Sequence, residues 1–269
     1  MRDPREGVTP HGFIVTGVDR ARVPAPFAPV LADAVRRTGP GASLYVYGSV
    51  ATGMAQVGAS DVDLLLVGMA AASAEAVSAE LSAAHTSLCR EVAVGVAEPA
   101  DFHGEDDETH GNRVFLRHYC LWLCGPDRHS GLLPFRADAR AARGFNGDIA
   151  LSLRRWQSLA QRTDPAQLGR RVARKTLFAV TGLVSVHDST WTTDRLGAAR
   201  RWAHLHPDLG PGLGQLARWS DGREHSDEVQ LRAALDGVVT TVAAQFHRSV
   251  GLWGGHPSDS TGFTVRPSS

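Results

Sequence analysis

The chain has 269 residues, 43% of them hydrophobic, which is enough to bury a sizeable core. Its 28 basic residues balance 28 acidic ones, so it has no general attraction for nucleic acid or anionic membranes, and any polyanion must meet a local patch. Three cysteines exclude a disulfide framework, and no run of about 18 apolar residues suggests a membrane span.

The opening MRDPREGVTP lacks the apolar core of a signal peptide, so a reducing cytoplasm is the expected location. Residues 1–25 read as a loosely held lead-in or an edge strand around Phe13-Ile14-Val15. Phe27 to Arg37 has helical apolar spacing and is stopped by Thr38-Gly39-Pro40-Gly41. Leu44 to Tyr47 reads as a strand ending at Gly48. Asp61 to Val67 (DVDLLLV) is a second strand, continuously apolar after its start, as a buried central strand is. Ala71 to Ala84 is predicted helical, and Glu91 to Val96 is a third strand of period two. Glu98 to Asn112 reads as a polar loop or helix entry. Val114 to Leu123 is predicted helical, which would put Cys120 and Cys124 on one helix face as packing residues.

Beyond about residue 140 the strand signals stop. Residues 146–162, 167–185, 193–205 and 226–249 have helical spacing, punctuated by Asp164-Pro165, Gly182, Pro207 and Gly210 to Gly214. An α/β part followed by a helical bundle is expected, with domains at 1–140 and 141–253 and a disordered tail at 254–269.

The run Val46 to Val67 (VYGSVATGMAQVGASDVDLLLV) carries the chemistry. Gly48 lets the backbone come close to a bulky anion with no Cβ in the way. Ser49 is placed at a helix start, where free N–H groups and a hydroxyl can hold phosphate. Asp61 and Asp63 are two apart on a strand, so both carboxylates point to one face. Such a pair repels itself unless a divalent cation lies between, and hard oxygen ligands suit Mg²⁺ together with substrate phosphates.

This pattern resembles the signature of the polymerase-β-like nucleotidyltransferase superfamily: an apolar residue, Gly-Ser, a spacer of about ten residues, then Asp-x-Asp in an apolar strand. The resemblance implies an α+β chain, with an N-terminal nucleotidyltransferase α/β domain of mixed sheet followed by a C-terminal helical bundle. It implies nucleotide contacts at Gly48 and Ser49, and Mg²⁺ ligands at Asp61 and Asp63. Arg90-Glu91-Val92-Ala93-Val94 resembles the third strand of aminoglycoside adenylyltransferases, where a glutamate at this point is the general base. That makes Glu91 the candidate third acid, as base and metal ligand, with Glu98 or Asp101 as alternatives. A carboxylate beside two others is pushed to a higher pKa, which suits a base. Leu123-Cys124-Gly125-Pro126-Asp127 is similar to the segment that closes the catalytic domain in these enzymes. Residues 171–207 are similar to their C-terminal helical pair.

The second domain should supply a positive group for the triphosphate. Lys175, the only lysine, on a helix with Arg171 and Arg174, is one candidate; Arg195 is the other. The streptomycin/spectinomycin-type enzymes tend to carry an acidic, tryptophan-containing loop before their long C-terminal helices. Here Trp156 to Pro165 offers only Asp164, beside Arg154, Arg155 and Arg162. The run Glu105-Asp106-Asp107-Glu108 is either a solvated loop or the acidic wall of an acceptor cleft. His103, His110, His118 and His129 have no two-ligand spacing with a third partner and read as structural or surface residues. The tryptophans fit packing, with Trp156 or Trp191 as candidate linings of the acceptor cleft.

The expected reaction is Mg²⁺-dependent transfer of AMP from ATP to a hydroxyl of a small acceptor, such as an aminoglycoside, which would make the chain an antibiotic-resistance enzyme. Nucleotidyl transfer to a protein or RNA, as in toxin–antitoxin pairs, and a non-catalytic nucleotide-binding module are the competing readings.

Overall fold

The first half of the chain builds a sheet because its apolar runs are short and bounded by glycine and proline. The computed structural model describes residues 3–254; the tail expected from Gly254 lies, from residue 255 on, outside the described residues. Strand β3 (Ser43–Tyr47) is buried throughout, and β4 (Val62–Val67) is buried everywhere except at Asp63. Leu64, Leu65 and Leu66 are each almost fully enclosed, a gain of about 1.5–3 kcal/mol apiece over leaving them exposed.

A short two-stranded antiparallel piece, β1 (Gly7–Val8) and β2 (Ile14–Val15), precedes helix α1 (Ala28–Arg37). The main sheet has four strands in the order β5-β4-β3-β6, with β5 at Val92–Ala97 and β6 at Leu121–Cys124. Strand β3 pairs antiparallel with both β4 and β6, while β4 and β5 run parallel, joined by α3 (Ala71–Ala84). The sheet is therefore mixed and the chain is α+β. Helix α2 (Gly48–Thr52) follows β3, and α4 (Asp107–Tyr119) lies between β5 and β6.

The C-terminal part is helical: α5 (Ala139–Asn146), α6 (Ile149–Leu159), α7 (Pro165–His187), α8 (Arg195–Leu205), α9 (Gly210–Ser220), α10 (Glu228–Ala234) and α11 (Thr240–Ser249). A π-helical turn, Leu235–Val239, joins the last two. Helix α7 is the hub and packs against α5, α8, α9 and α11. Its start is fixed by Asp164, whose carboxylate accepts from the Ala166 and Gln167 N–H groups, with Pro165 in the first turn.

Three expectations are corrected. Val114 to Leu123 is not one helix: α4 ends at Tyr119 and Leu121–Cys124 is an edge strand of the sheet. Cys120 caps the helix, so Cys120 and Cys124 do not share a helix face. The apolar spacing across that junction satisfies both periods, and pairing with β3 decides it. Gly210 to Gly214 is not a break but the start of α9. A Cβ at Gly212 would lie 2.8 Å from the Val238 Cβ, so a glycine there allows a close helix contact. The lead-in is not loose. The Glu6 carboxylate accepts from the Tyr119 hydroxyl (2.6 Å), the Thr193 hydroxyl (2.7 Å) and the Thr193 N–H (2.6 Å). Residue 6 thus straps α4 to the loop before α8.

The sheet and the helices meet where α4 crosses α5. A Cβ on Gly111 would lie 2.4 Å from the Gly144 carbonyl carbon, and one on Gly144 2.6 Å from the Gly111 Cα. Both positions are helical, so these glycines serve close approach rather than turning. Gly125 serves a turn: its φ is +80°, and a Cβ there would meet the Ala42 carbonyl oxygen. Gly111→Ala is expected to destabilise the protein by about 1–3 kcal/mol through overpacking of backbone on backbone, read from the midpoint of denaturant unfolding.

Candidate functional site

Strand register brings the acidic residues together. Tyr47 at the end of β3 lies opposite Asp63 on β4, and Asp63 lies beside Ala93 on β5. Because β4 and β5 are parallel and in step, Asp61 falls level with Glu91, one residue before the Val62–Val92 pair. The Val62 N–H donates to the Glu91 carbonyl at 2.9 Å, which ties the two strand entries together. Alternation then puts Asp61, Asp63 and Glu91 on one face of the sheet.

Gly48 completes the corner. Its φ of +69° turns the chain from β3 into α2. A Cβ at residue 48 would lie 2.3 Å from Asp63 Oδ2, so the carboxylate fills the space that any other residue would need. Ser49 sits in the first turn of α2; its carbonyl accepts from the Met54 and Ala55 N–H groups, locking the loop that follows.

The electrostatic strain of this corner falls on Asp63. Burial, then the charges of Asp61 and Glu91, push its pKa up to about 6, with Arg90 acting the other way. Burial and the same carboxylate push the Tyr47 phenol up. Asp61 is held in a two-point ion pair, with Arg90 Nε to Oδ1 at 2.9 Å and Arg90 Nη2 to Oδ2 at 2.5 Å.

A divalent cation fits this donor set. Among the described residues no group of three or more His, Cys, Asp or Glu side chains is gathered as a ready ligand cage. Two carboxylates are nonetheless what Mg²⁺ commonly takes from a protein, filling its remaining positions with waters and substrate phosphates. The mutual repulsion recorded in Asp63 is the feature a cation would relieve. Glu91 lies within electrostatic reach of Asp63 but outside any ready ligand cage.

One cation of α7 lies within electrostatic range of this face. Burial, then Arg170, Arg195 and Arg90, push the Arg174 guanidinium down to about 10, with Asp61 opposing. Arg174 therefore lies within electrostatic range of both the acidic corner and Arg195. Burial also pulls the Arg195 guanidinium down. Arg170 and Arg174 are one helical turn apart and share a face; Lys175, one residue on, is turned by about 100°. The Lys175 ammonium meets Asp148 Oδ1 at 2.7 Å and the Phe145 carbonyl at 3.1 Å. Of the two cations expected for a triphosphate, Arg195 lies within electrostatic range of Arg174, while Lys175 is engaged on the α5–α6 side. The sequence pattern marks Arg174 only as a neighbour of Lys175 and gives Arg90 and Arg170 no role. The i, i+4 spacing of Arg170 and Arg174 is the signal that could have found them.

The acidic run splits by partner. Asp106 caps α4 through the Thr109 N–H, and Asp107 pairs with Arg143 Nε at 2.7 Å. Glu108 is half-buried, and burial, then Asp106, Asp148 and Asp101, push its pKa up, with Lys175 opposing. Asp101 is also held at the Glu98 N–H, closing a capping box at the turn Pro99–Phe102. His118 is buried and accepts from the Phe135 N–H, and burial lowers its pKa to about 4. Trp191 and Trp156 are both buried, and the Trp191 N–H donates to the Tyr119 hydroxyl.

Residues 29–113 match the family model of the nucleotidyltransferase domain. The match contains Gly48, Ser49, Asp61, Asp63 and Glu91, and it supports the polymerase-β-like superfamily and nucleotidyl transfer in general. No curated protein matches the chain. Among the described residues no helix is long and apolar enough to cross a membrane.

A carboxylate whose pKa rises on folding costs stability as the pH climbs from its unfolded value to its folded one, and the cost is complete above the folded value. The fold is favoured while Asp63 is protonated, and that contribution is lost as pH rises through about 6. Asp63→Asn should therefore stabilise the metal-free protein by about 3 kcal/mol at pH 7.5, with the gain fading below about pH 4. Denaturant unfolding in chelator at the two pH values checks this, and an equal effect at both would refute it.

Proposed function

We propose that the chain is a nucleotidyltransferase that moves AMP from ATP to a hydroxyl of a small acceptor, with Asp61 and Asp63 as its metal ligands. The observation that carries this reading is the placement of Asp63 against Gly48, with Asp61 and Glu91 on the same sheet face and Arg174 within electrostatic range. Mg²⁺ at Asp61 and Asp63 would offset charge on the triphosphate and favour attack at the α-phosphate. Gly48 and Ser49 lie where backbone and hydroxyl can meet phosphate oxygens. Arg174 and Arg195 hold the β- and γ-phosphates, a role for which guanidinium groups suit the geometry of the anion.

In the transfer, the acceptor oxygen forms its bond to the α-phosphorus as the bond to the β-phosphate bridging oxygen breaks. The acceptor's proton passes to the Glu91 carboxylate, and pyrophosphate leaves with the bonding pair. Two domains, 1–140 and 141–253, belong to this proposal. A core built mainly on α5–α11, which also takes in Ile14 and Val114 of the first part, and separate cores on the two sides of the sheet support it. A cationic acceptor of the aminoglycoside kind is favoured by Glu108, Asp101 and Asp148, acidic groups gathered near Lys175.

Pyrophosphate release with ATP, Mg²⁺ and a panel of aminoglycosides tests the acceptor class, against transfer of labelled AMP to protein or tRNA. Asp63→Ala should lower transfer by at least about a thousandfold with the fold intact, because it removes charge from the reacting centre. Glu91→Gln should lower kcat by about a hundredfold or more while nucleotide affinity holds. Turnover retained in Asp63→Ala would sink the metal assignment. Lost nucleotide binding in Glu91→Gln would make Glu91 a metal ligand and not the base.

A further inference from the structure

Resting on the metal reading of Asp61 and Asp63, we propose that Arg90 is the counter-ion of Asp61 before metal arrives, and that it is then handed over to the polyphosphate of the nucleotide. Its two-point grip on Asp61 takes up both carboxylate oxygens, at 2.9 and 2.5 Å. Those are the atoms a cation needs. Metal and guanidinium therefore compete for one carboxylate.

The pair is built to be broken. The Arg90 side chain is 69% exposed, whereas Asp61 is 18% exposed. The carboxylate is fixed by the strand entry, and the arginine reaches it from solvent on a flexible stem. An exposed ion pair of this kind shifts an equilibrium by only about two- to fivefold, little resistance to a divalent ion. Its benefit is to the empty site: three carboxylates on one face would otherwise stand with no positive charge directly bonded to them.

Release leaves the guanidinium beside the metal-bound carboxylate, free to reach an anion brought there on its flexible stem. Arg174 lies within electrostatic range of Arg90 and donates to the Ser220 carbonyl. The other acids nearby, Asp63 and Glu91, share the same corner with the metal. The phosphate chain of the nucleotide is the anion a metal at Asp61 would bring beside Arg90, and a planar guanidinium can grip it at two oxygens. Arg90 is then a binding residue acting in sequence with the metal.

Two titrations of the full chain test this, with Mn²⁺ as the probe metal. Without nucleotide, Arg90→Ala should bind Mn²⁺ about two- to fivefold tighter than wild type, because a competitor is gone. With saturating Mn²⁺ and a non-cleavable ATP analogue, the same variant should bind nucleotide several-fold more weakly. Arg90→Gln, which keeps the length of the stem, should repeat both results and guards against a folding defect in the alanine variant. Unchanged or weaker Mn²⁺ affinity would overturn the competition. Tighter Mn²⁺ with unchanged nucleotide affinity would overturn the hand-over. If wild type shows no Mn²⁺ binding that Asp63→Asn removes, the metal reading itself fails, and the inference with it.

Discussion

The site depends on one steric fact: Asp63 Oδ2 occupies the place where residue 48 would carry a Cβ. Only glycine allows β3 to turn into α2 so close to the β4 carboxylate, and the left-handed backbone at Gly48 is what makes the turn. The antiparallel Tyr47–Asp63 pair fixes that distance from the sheet side. The parallel β4–β5 pair then brings Glu91 level with Asp61. Asp63 is thus set in place by a hydrogen-bonded strand, and Asp61 and Glu91 by the residues that open β4 and β5.

That arrangement costs stability, and the surroundings answer it with charge. Burial and two like charges raise the pKa of Asp63, so the fold carries a carboxylate in a place that disfavours its charge. Arg90 sits on Asp61, and Arg174 on α7 lies within electrostatic range of both and of Arg170 and Arg195. Arg90 comes from the sheet part and Arg174 from the helical part, so the two parts must keep a fixed distance. The glycine crossing of α4 and α5 and the Glu6 strap to Tyr119 and Thr193 hold that distance. Residues remote from the chemistry are therefore tied to it through geometry.

Strands with strong apolar patterns are legible in the amino-acid sequence. β3, β4 and β5 fall within a residue or two of where their side-chain alternation puts them, and α3 falls on the Ala/Glu-rich stretch Ala71–Ala84. Two stretches are not legible, for definite reasons. Leu121–Cys124 carries apolar residues compatible with a helix, and only its partner β3 makes it a strand. The glycines before Leu213 read as a break, yet Gly212 is needed because Val238 lies against it. In both cases a distant segment overrides a local signal.

Sequence by itself determined the chemistry-bearing corner: Gly-Ser after a strand and Asp-x-Asp at the head of an apolar one are local patterns, and strand alternation alone points both aspartates one way. It also determined that helices follow the sheet. Tertiary structure decided the positive side. Which of Lys175 and Arg174 comes near the acids depends on the rotation of α7, and one residue along a helix is a turn of about 100°. That rotation is set by packing against α5, α8, α9 and α11, contacts made across long stretches of chain. The grip of Arg90 on Asp61 has the same origin, since it spans 29 residues and exists only once β5 lies beside β4.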